Sequence, residues 1–337
     1  MRRAYVMGLL SALLFGATAP LAKMLLGASG PLALAGLFYL GAFAATLFAS
    51  RREEAKLRRG DLPWLAASVI CGGLAAPALL LLGLAHTSAV IASLMLNLEA
   101  PFTMLLGVIA FGEHLSARET AGSALILGAA ALLGPVSLQG TAAGAALVAL
   151  ACLLWAVDNN CSAKLALKDP AQVLRYKALF AGTANLMLAR FAAHEPIGDV
   201  APALLVGLFG YGVSLMLYLR AQRALGAARQ AALFATAPFA GALLAIPLLG
   251  ERPGVGAGIA AVAMALGVLQ LSRARHAHRH THAQIDHEHL HVHDEHHRHA
   301  HEGPVTEPHS HEHHHDALTH EHPHVSDAHH KHKHSHN

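Results

Sequence analysis

The sequence predicts an all-α membrane protein of ten transmembrane helices, arranged as two inverted five-helix repeats and followed by a disordered C-terminal tail. Three observations carry this. Apolar residues make up 54% of the 337 and charged residues only 13%. The stretch LNLEAPFTMLLGVIAFGEHLS (96–116) returns near the other end as LFATAPFAGALLAIPLLGERP (233–253). Ala100-Pro101-Phe102 then matches Ala237-Pro238-Phe239, and Gly112-Glu113 matches Gly250-Glu251. Finally, the basic residues crowd onto alternate connections.

A bilayer crossing takes about 20 apolar residues. Such runs fall at 4–26, 31–49, 62–84, 88–110 and 118–136, and again at 143–164, 171–192, 201–219, 229–249 and 254–272. Turn signals mark the connections: Gly27 to Pro31, Gly60-Asp61, Gly134-Pro135, Asp169-Pro170 and Arg252-Pro253-Gly254. The first run, MRRAYVMGLLSALLFGATAP, has the basic start and apolar centre of a secretory signal. Its own copy argues otherwise. LLFGATAPLAKMLL (13–26) recurs as LLWAVDNNCSAKLAL (153–167), one insertion bringing Ala22-Lys23 onto Ala163-Lys164, and a cleaved leader has no reason to be duplicated mid-chain. The domains are therefore 1–138, 139–275 and a tail over 276–337.

Charge divides the chain at the same place. Residues 1–275 carry 20 Lys/Arg against 11 Asp/Glu, a net +9. Residues 276–337 carry 4 against 10, a net −6, with 25 of the 28 histidines. The overall +3 describes neither part and gives no sign of a nucleic-acid partner. With the N-terminus cytoplasmic, sixteen basic residues of the helical part, from Arg2 and Arg3 to Arg273 and Arg275, lie on that side; Lys23, Arg190 and Arg252 lie opposite. This positive-inside bias puts both termini in the cytoplasm. Five crossings per half is an odd number, so the second half stands upside down relative to the first, as in an alternating-access carrier.

These segments, with the Trp155-containing start of the second half and YGVSLMLYLRAQRALGAARQAALFATAPF (211–239), resemble the EamA family of the drug/metabolite transporter superfamily over residues 4–272. The resemblance implies a bacterial inner (plasma) membrane carrier that exports small metabolites, amino acids or drugs. It names no particular substrate.

Glu99 stands at the midpoint of its helix, where a carboxylate costs about 2.5–3.5 kcal/mol on insertion scales. Asn97 and Pro101 flank it, and the proline frees a backbone carbonyl one turn back for a bound solute. Two readings stand side by side: Glu99 as proton acceptor and cargo ligand, or Glu99 protonated and bonded between helices as packing glue. The second copy holds Thr236 at this position and Pro238 in place of Pro101. Asp158, Asn159 and Asn160 form a second polar cluster. Asp158 and Lys177 lie at equal depth on sequential antiparallel helices, which predicts an ion pair; the bland reading has Lys177 snorkelling to the interface alone. Tyr211 and Tyr218 (i, i+7) are expected on one face, either lining a pore or packing. Glu113 and Glu251 read as caps. Cys71, Cys152 and Cys161 read as buried hydrophobes, and His86, His114 and His194 form no ligand pattern.

From His276 the periodicity vanishes, and a tail without apolar surface is expected to stay disordered. Its closely spaced imidazoles suit a borderline divalent ion (Zn, Ni or Co), while the lack of tail cysteine argues against a dedicated Cu⁺ site. The candidate ligands are His276, His278, His280, His282, His287, His289, His291, His293, His296, His297, His299, His301, His309, His311, His313, His314 and His315. At four ligands per ion the tail holds about six ions at most. No resident cofactor is required, and no phosphate loop, catalytic triad spacing or cofactor fingerprint suggests an enzyme. The expected partners are the lipid bilayer and a small-molecule or ion substrate, with a homodimer left open. The competing view makes the protein a membrane-anchored metal buffer, or a metal or pH sensor, whose helical body does not move the metal.

Overall fold

Where neither water nor a neighbouring strand is at hand, a backbone must hydrogen-bond to itself, and each apolar run is a helix. The computed structural model describes residues 2–47, 55–111, 115–136, 142–165, 168–198 and 200–273, and in the tail 276–282, 285–291, 309–315 and 318–324. The helices are α1 (Arg2–Leu25), α2 (Pro31–Thr46), α3 (Arg59–Ala85) and α4 (Ala89–Ala110); α5 (Ala117–Val136); α6 (Ala142–Leu165); α7 (Pro170–Met187); and α8 (Val200–Gln222), α9 (Arg229–Leu249) and α10 (Val255–Arg273). Their bounds lie within a few residues of those read from the sequence. Among the described residues, seven are long and apolar enough to cross a membrane: α1, α3, α4, α6, α8, α9 and α10. The shorter α2 is equally apolar, while α7 gives two of its positions to Arg175 and Lys177.

Contacts between helix ends sort them onto two sides. On the first side, Arg118 at the head of α5 donates to Arg273 O at the end of α10 (3.3 Å). Lys168, past α6, pairs with Asp61 at the head of α3 (3.1 Å). Asp169 N, before α7, bonds Ala55 O (2.8 Å), and Ala4 of α1 packs against Ala221 of α8. On the second side, Glu251 past α9 meets Ala89 N at the head of α4 (2.6 Å). There too Lys23 of α1 meets Leu84 O of α3 (2.5 Å), and Glu195 past α7 meets Ala33 N of α2 (2.9 Å). Helices of the same rank in the two halves thus run in opposite directions: α1 and α3 leave the first side, whereas α6 and α8 arrive there. The packing is symmetric on exchange of halves. The pairs α5–α10, α2–α7 and α4–α9 match across the centre, and α1 against α8 answers α6 against α3.

The irregularities are duplicated as well. Proline cannot donate and crowds the carbonyl four residues back. Accordingly α4 passes through a 3₁₀ turn at Leu96–Leu98 before Pro101, and α9 breaks at Ala235-Thr236 before Pro238. Two of the three π turns among the described residues sit at matching places, Val69–Ala75 in α3 and Gly207–Val213 in α8; the third, Leu188–Ala192, extends α7 alone. The core centres on α2, whose Leu34, Ala35, Phe38 and Ala42 are buried. Large apolar side chains face outward instead on the peripheral helices: Ile109 (72% exposed), Leu243 (68%) and Val255 (83%). Such a surface suits lipid.

In the tail, strand β1 (His276–His282) pairs antiparallel with β4 (Leu318–His324), and β2 (Ile285–His291) with β3 (His309–His315). His alternating with other residues matches the two-residue repeat of a strand, and a two-stranded ladder by itself is marginally stable in water. The expected cap Glu113, together with His114, His293, His296, His297, His299 and His301, lies outside the described residues.

The close crossing of α1 and α9 depends on glycine. A Cβ at Gly241 would lie 2.5 Å from the backbone oxygen of Gly16, whereas one at Gly128 of α5 would meet nothing within 4 Å. Gly241→Leu should therefore destabilise by about 1–3 kcal/mol, read as a lowered unfolding midpoint in detergent. Gly128→Ala should shift stability by no more than about 0.5 kcal/mol.

Candidate functional site

The two proline breaks face one cavity. Asn97 and Glu99 from the break in α4, and Ala235, Ala237 and Pro238 from the break in α9, line a space of about 400 Å³ between the halves. Phe15 of α1, Tyr218 of α8 and Phe234 of α9 form an aromatic wall, with Phe234 5.1 Å from Phe15 and 5.0 Å from Tyr218 between ring centroids. Glu119 and Ser272, at the ends of α5 and α10, carry the lining to the first, arginine-rich side.

Glu99 is half-buried on this lining. Its Oε1 accepts from Asn159 Nδ2 at 2.7 Å, and the same amide reaches Thr103 Oγ1 at 3.2 Å. Thr103 bonds back to Glu99 O (2.8 Å), and Asn160 donates to Thr103 O (3.2 Å), so α6 grips α4 along one polar seam. Asn97 is buried; its amide donates to Leu94 O (2.8 Å) and touches Met264 Sδ (3.8 Å). Pro101 shapes the break without joining the lining.

Asp158 points the other way along α6 and meets Lys177 of α7 in an ion pair; their side chains are only 8% and 13% exposed. The second carboxylate oxygen accepts from Ser68 (2.5 Å) and Ser162 (3.1 Å). Beside the pair, the π turn of α3 presents Gly72 O to Tyr39 Oη (2.7 Å) and Trp155 Nε1 (3.1 Å). Lys177 therefore does not snorkel alone.

The second side is closed by a charged clasp. Gly250 ends α9 in the left-handed conformation (φ 66°), which favours glycine. Glu251 is thereby set against the head of α4, accepting from Ala89 N (2.6 Å) and Val90 N (2.8 Å), while Ser88 Oγ accepts from Ile91 N (3.2 Å). Lys23 donates to Leu84 O (2.5 Å) and Thr87 O (2.9 Å) at the end of α3. Acid at a helix start and base at a helix end each match the helix dipole.

One expectation is overturned. Tyr211 does not share the cavity wall with Tyr218. The π turn over Gly207–Val213 shifts the helical phase between them, and Tyr211 instead packs among Phe15, Phe38 and Tyr39 at 5.6–6.0 Å. Sequence reasoning also missed Thr103, Phe15, Phe234, Glu119 and Ser68. Thr103 was detectable one turn after Glu99; the others come from distant helices and leave no local signal. Among the described residues no group of three His, Cys, Asp or Glu could hold a metal ion.

Comparison with known proteins agrees with this architecture. The model of the EamA-like transporter family matches residues 2–134 and 142–273, one match per half. A protein of Methanothermobacter thermautotrophicus described as an uncharacterized transporter is 31% identical, over 73% of this chain and 79% of its own length. One crystal structure, 19% identical, shares the fold with a TM-score of 0.58, covering 80% of this chain and 96% of its own.

Removing one partner of a buried pair strands the other charge. Lys177→Met should cost about 3–5 kcal/mol, whereas the double variant Asp158→Asn, Lys177→Met should regain most of that loss. Thermal unfolding of the wild type, Asp158→Asn, Lys177→Met and the double variant in detergent reads the coupling.

Proposed function

The chain belongs to the EamA-like transporter family, and on that premise we propose that it is an inner-membrane secondary transporter exporting a small metabolite or cation by alternating access. The observation that carries this is the cavity: it lies between the halves and its lining reaches the arginine-rich side at Glu119 and Ser272, while at the opposite side Glu251 fastens the end of α9 to the head of α4. In this reading all ten helices cross the bilayer as two inverted five-helix repeats, 1–138 and 139–275. At 16 residues α2 spans about 24 Å, and its burial among other helices suits a short crossing. The arginine-rich side is cytoplasmic, both termini lie there, and the described conformation is open inward. The cavity is built from both halves of one chain, so the reading does not call on a second copy.

Glu99 is assigned the central role, exchanging a proton for cargo, with Asn159 orienting it and Asn97 and Pro238 shaping the break. The titratable groups around it are Tyr218 across the cavity, Glu119 at its mouth, and the Asp158–Lys177 pair behind Asn159. Asp158 and Lys177 are positioning residues that hold α6 on α7, and Tyr211 supports the aromatic wall through Phe15. In proteoliposomes carrying a pH-sensitive dye, addition of a transported solute should move protons through the wild type, while Glu99→Gln should slow this at least tenfold. An unaltered proton signal in the variant would remove Glu99 from the coupling.

A metal-binding tail is a second, separable reading. The register opposes His278 to His322, His280 to His320, His287 to His313 and His289 to His311. The composition carries this reading: closely spaced imidazoles on one chain suit Zn²⁺, Ni²⁺ or Co²⁺. The tail then buffers metal at the cytoplasmic face. Deleting residues 276–337 should abolish Ni²⁺ uptake in equilibrium dialysis yet leave organic-solute transport in proteoliposomes within twofold. Loss of both together would instead tie the tail to the carrier.

A further inference from the structure

We propose that the cargo is a singly charged organic cation with an apolar body about the size of an aryl group, its charge held by Glu99. The inference rests on the carrier reading of the same cavity and adds the chemistry of what fills it.

The charge census of the lining decides the sign. Among the described residues the lining contains Glu99 and Glu119 and no Lys, Arg or His. The nearest buried ammonium, Lys177, is held by Asp158, and Lys23 is held by carbonyls of the opposite side. A ligand carboxylate would enter to face two carboxylates and no cation, in surroundings too apolar to screen the repulsion. Anions are disfavoured on that ground, and zwitterions less so, since the helix start at Ala237-Pro238 offers their carboxylate only a partial positive charge. A cationic ligand has a prepared seat. Asn159 holds one oxygen of Glu99 at 2.7 Å, which fixes the carboxylate and leaves its other oxygen for an ammonium, a charge-assisted bond of the stronger kind.

The walls decide the rest. Apart from the polar strip of Asn97, Glu99, Thr103 and Asn159, the lining is chiefly Ala, Leu, Phe and Pro. Phe15, Tyr218 and Phe234 offer ring faces that attract a desolvated cation as well as an apolar body. A volume of about 400 Å³ is within the range of small-molecule pockets and far exceeds an inorganic ion. A transition metal would find neither imidazole nor thiolate among the described lining residues, so the metal chemistry of the tail and that of the cavity are different.

Four probes sharing one phenyl ring test the charge rule on the full-length protein in detergent, by titration calorimetry at pH 7: 2-phenylethylamine (cation), phenylalanine (zwitterion), 3-phenylpropionate (anion) and 3-phenylpropan-1-ol (neutral). The amine should bind at least tenfold more tightly than the other three, and Glu99→Gln should erase that preference. Equal or tighter binding of phenylalanine or phenylpropionate to the wild type overturns the proposal, with no variant needed, as does failure of the amine to bind at millimolar concentration. Counterflow in proteoliposomes separates the two readings. Amine that binds but does not exchange across the vesicle sinks the carrier reading and leaves the cation site standing. Exchange of a zwitterion that the amine fails to inhibit sinks the cation site and leaves the carrier.

Discussion

A polar group in the middle of this molecule has no bulk water to turn to, so it must find its partner within the protein, and where its own helix cannot supply one the architecture follows from how that partner is found. The heads and tails of helices raise the sharpest demand, because each leaves backbone groups without intrahelical bonds. At one side the demand is met by two charged residues. Glu251 takes the free N–H groups of α4, and Lys23 takes the free carbonyls of α3. Since Glu251 follows α9 and α4 belongs to the first half, satisfying that helix start also ties the two halves together, while Lys23 fastens α1 to α3 within the first half. The cavity lining reaches toward the first side at Glu119 and Ser272.

Duplication supplied the frame, and divergence supplied the chemistry. Thr236 stands in the second half where Glu99 stands in the first, and Thr18 stands in the first half where Asp158 stands in the second. Both threonines turn their hydroxyls onto carbonyls three residues back in their own helices, Leu233 O at 2.7 Å and Phe15 O at 2.6 Å. A self-satisfied hydroxyl asks nothing of a neighbour. The carboxylates cannot satisfy themselves, and each reaches across: Glu99 to α6, Asp158 to α3 and α7. One half of each matched pair is therefore inert, and the polar seam runs through the molecule only once, from Lys177 through the adjoining Asp158 and Asn159 to Glu99.

How far this was legible in the sequence follows from the range of each signal. The helices and their order were plain, because apolar length and turn residues act locally. The antiparallel relation of the halves was legible from charge, since the basic residues assigned to one side by counting crossings meet there in space, Arg118 with the end of α10 and Lys168 with Asp61. The Asp158–Lys177 pair followed from equal depth on neighbouring helices. Tyr211 did not follow, because a π turn changes the face on which i and i+7 fall, and nothing in GLFGYGV announces it. The aromatic wall was equally hidden, being assembled from α1, α8 and α9. In the tail, composition speaks against a core, and the period-two placement of histidine is compatible with paired strands.

The tail and the cavity answer to different chemistries, and this bears on what the protein handles. Borderline metals are held by imidazole nitrogen, and the histidines sit overwhelmingly in residues 276–337, with three in the rest of the chain. Of those three, His86 and His194 belong to connections at the clasp side and neither joins the cavity lining. An ion leaving the tail would thus exchange many nitrogen donors for carboxylate, amide and hydroxyl oxygens in an apolar chamber, an uphill transfer at the first step. An organic ammonium meets the reverse situation: acidic histidine-rich chain outside gives it little apolar contact, while the chamber offers a fixed carboxylate and aromatic faces. If the tail binds metal as proposed, the distribution of side chains that would keep it there also favours organic cations in the cavity, and joining the two segments in one chain does not require them to share a ligand.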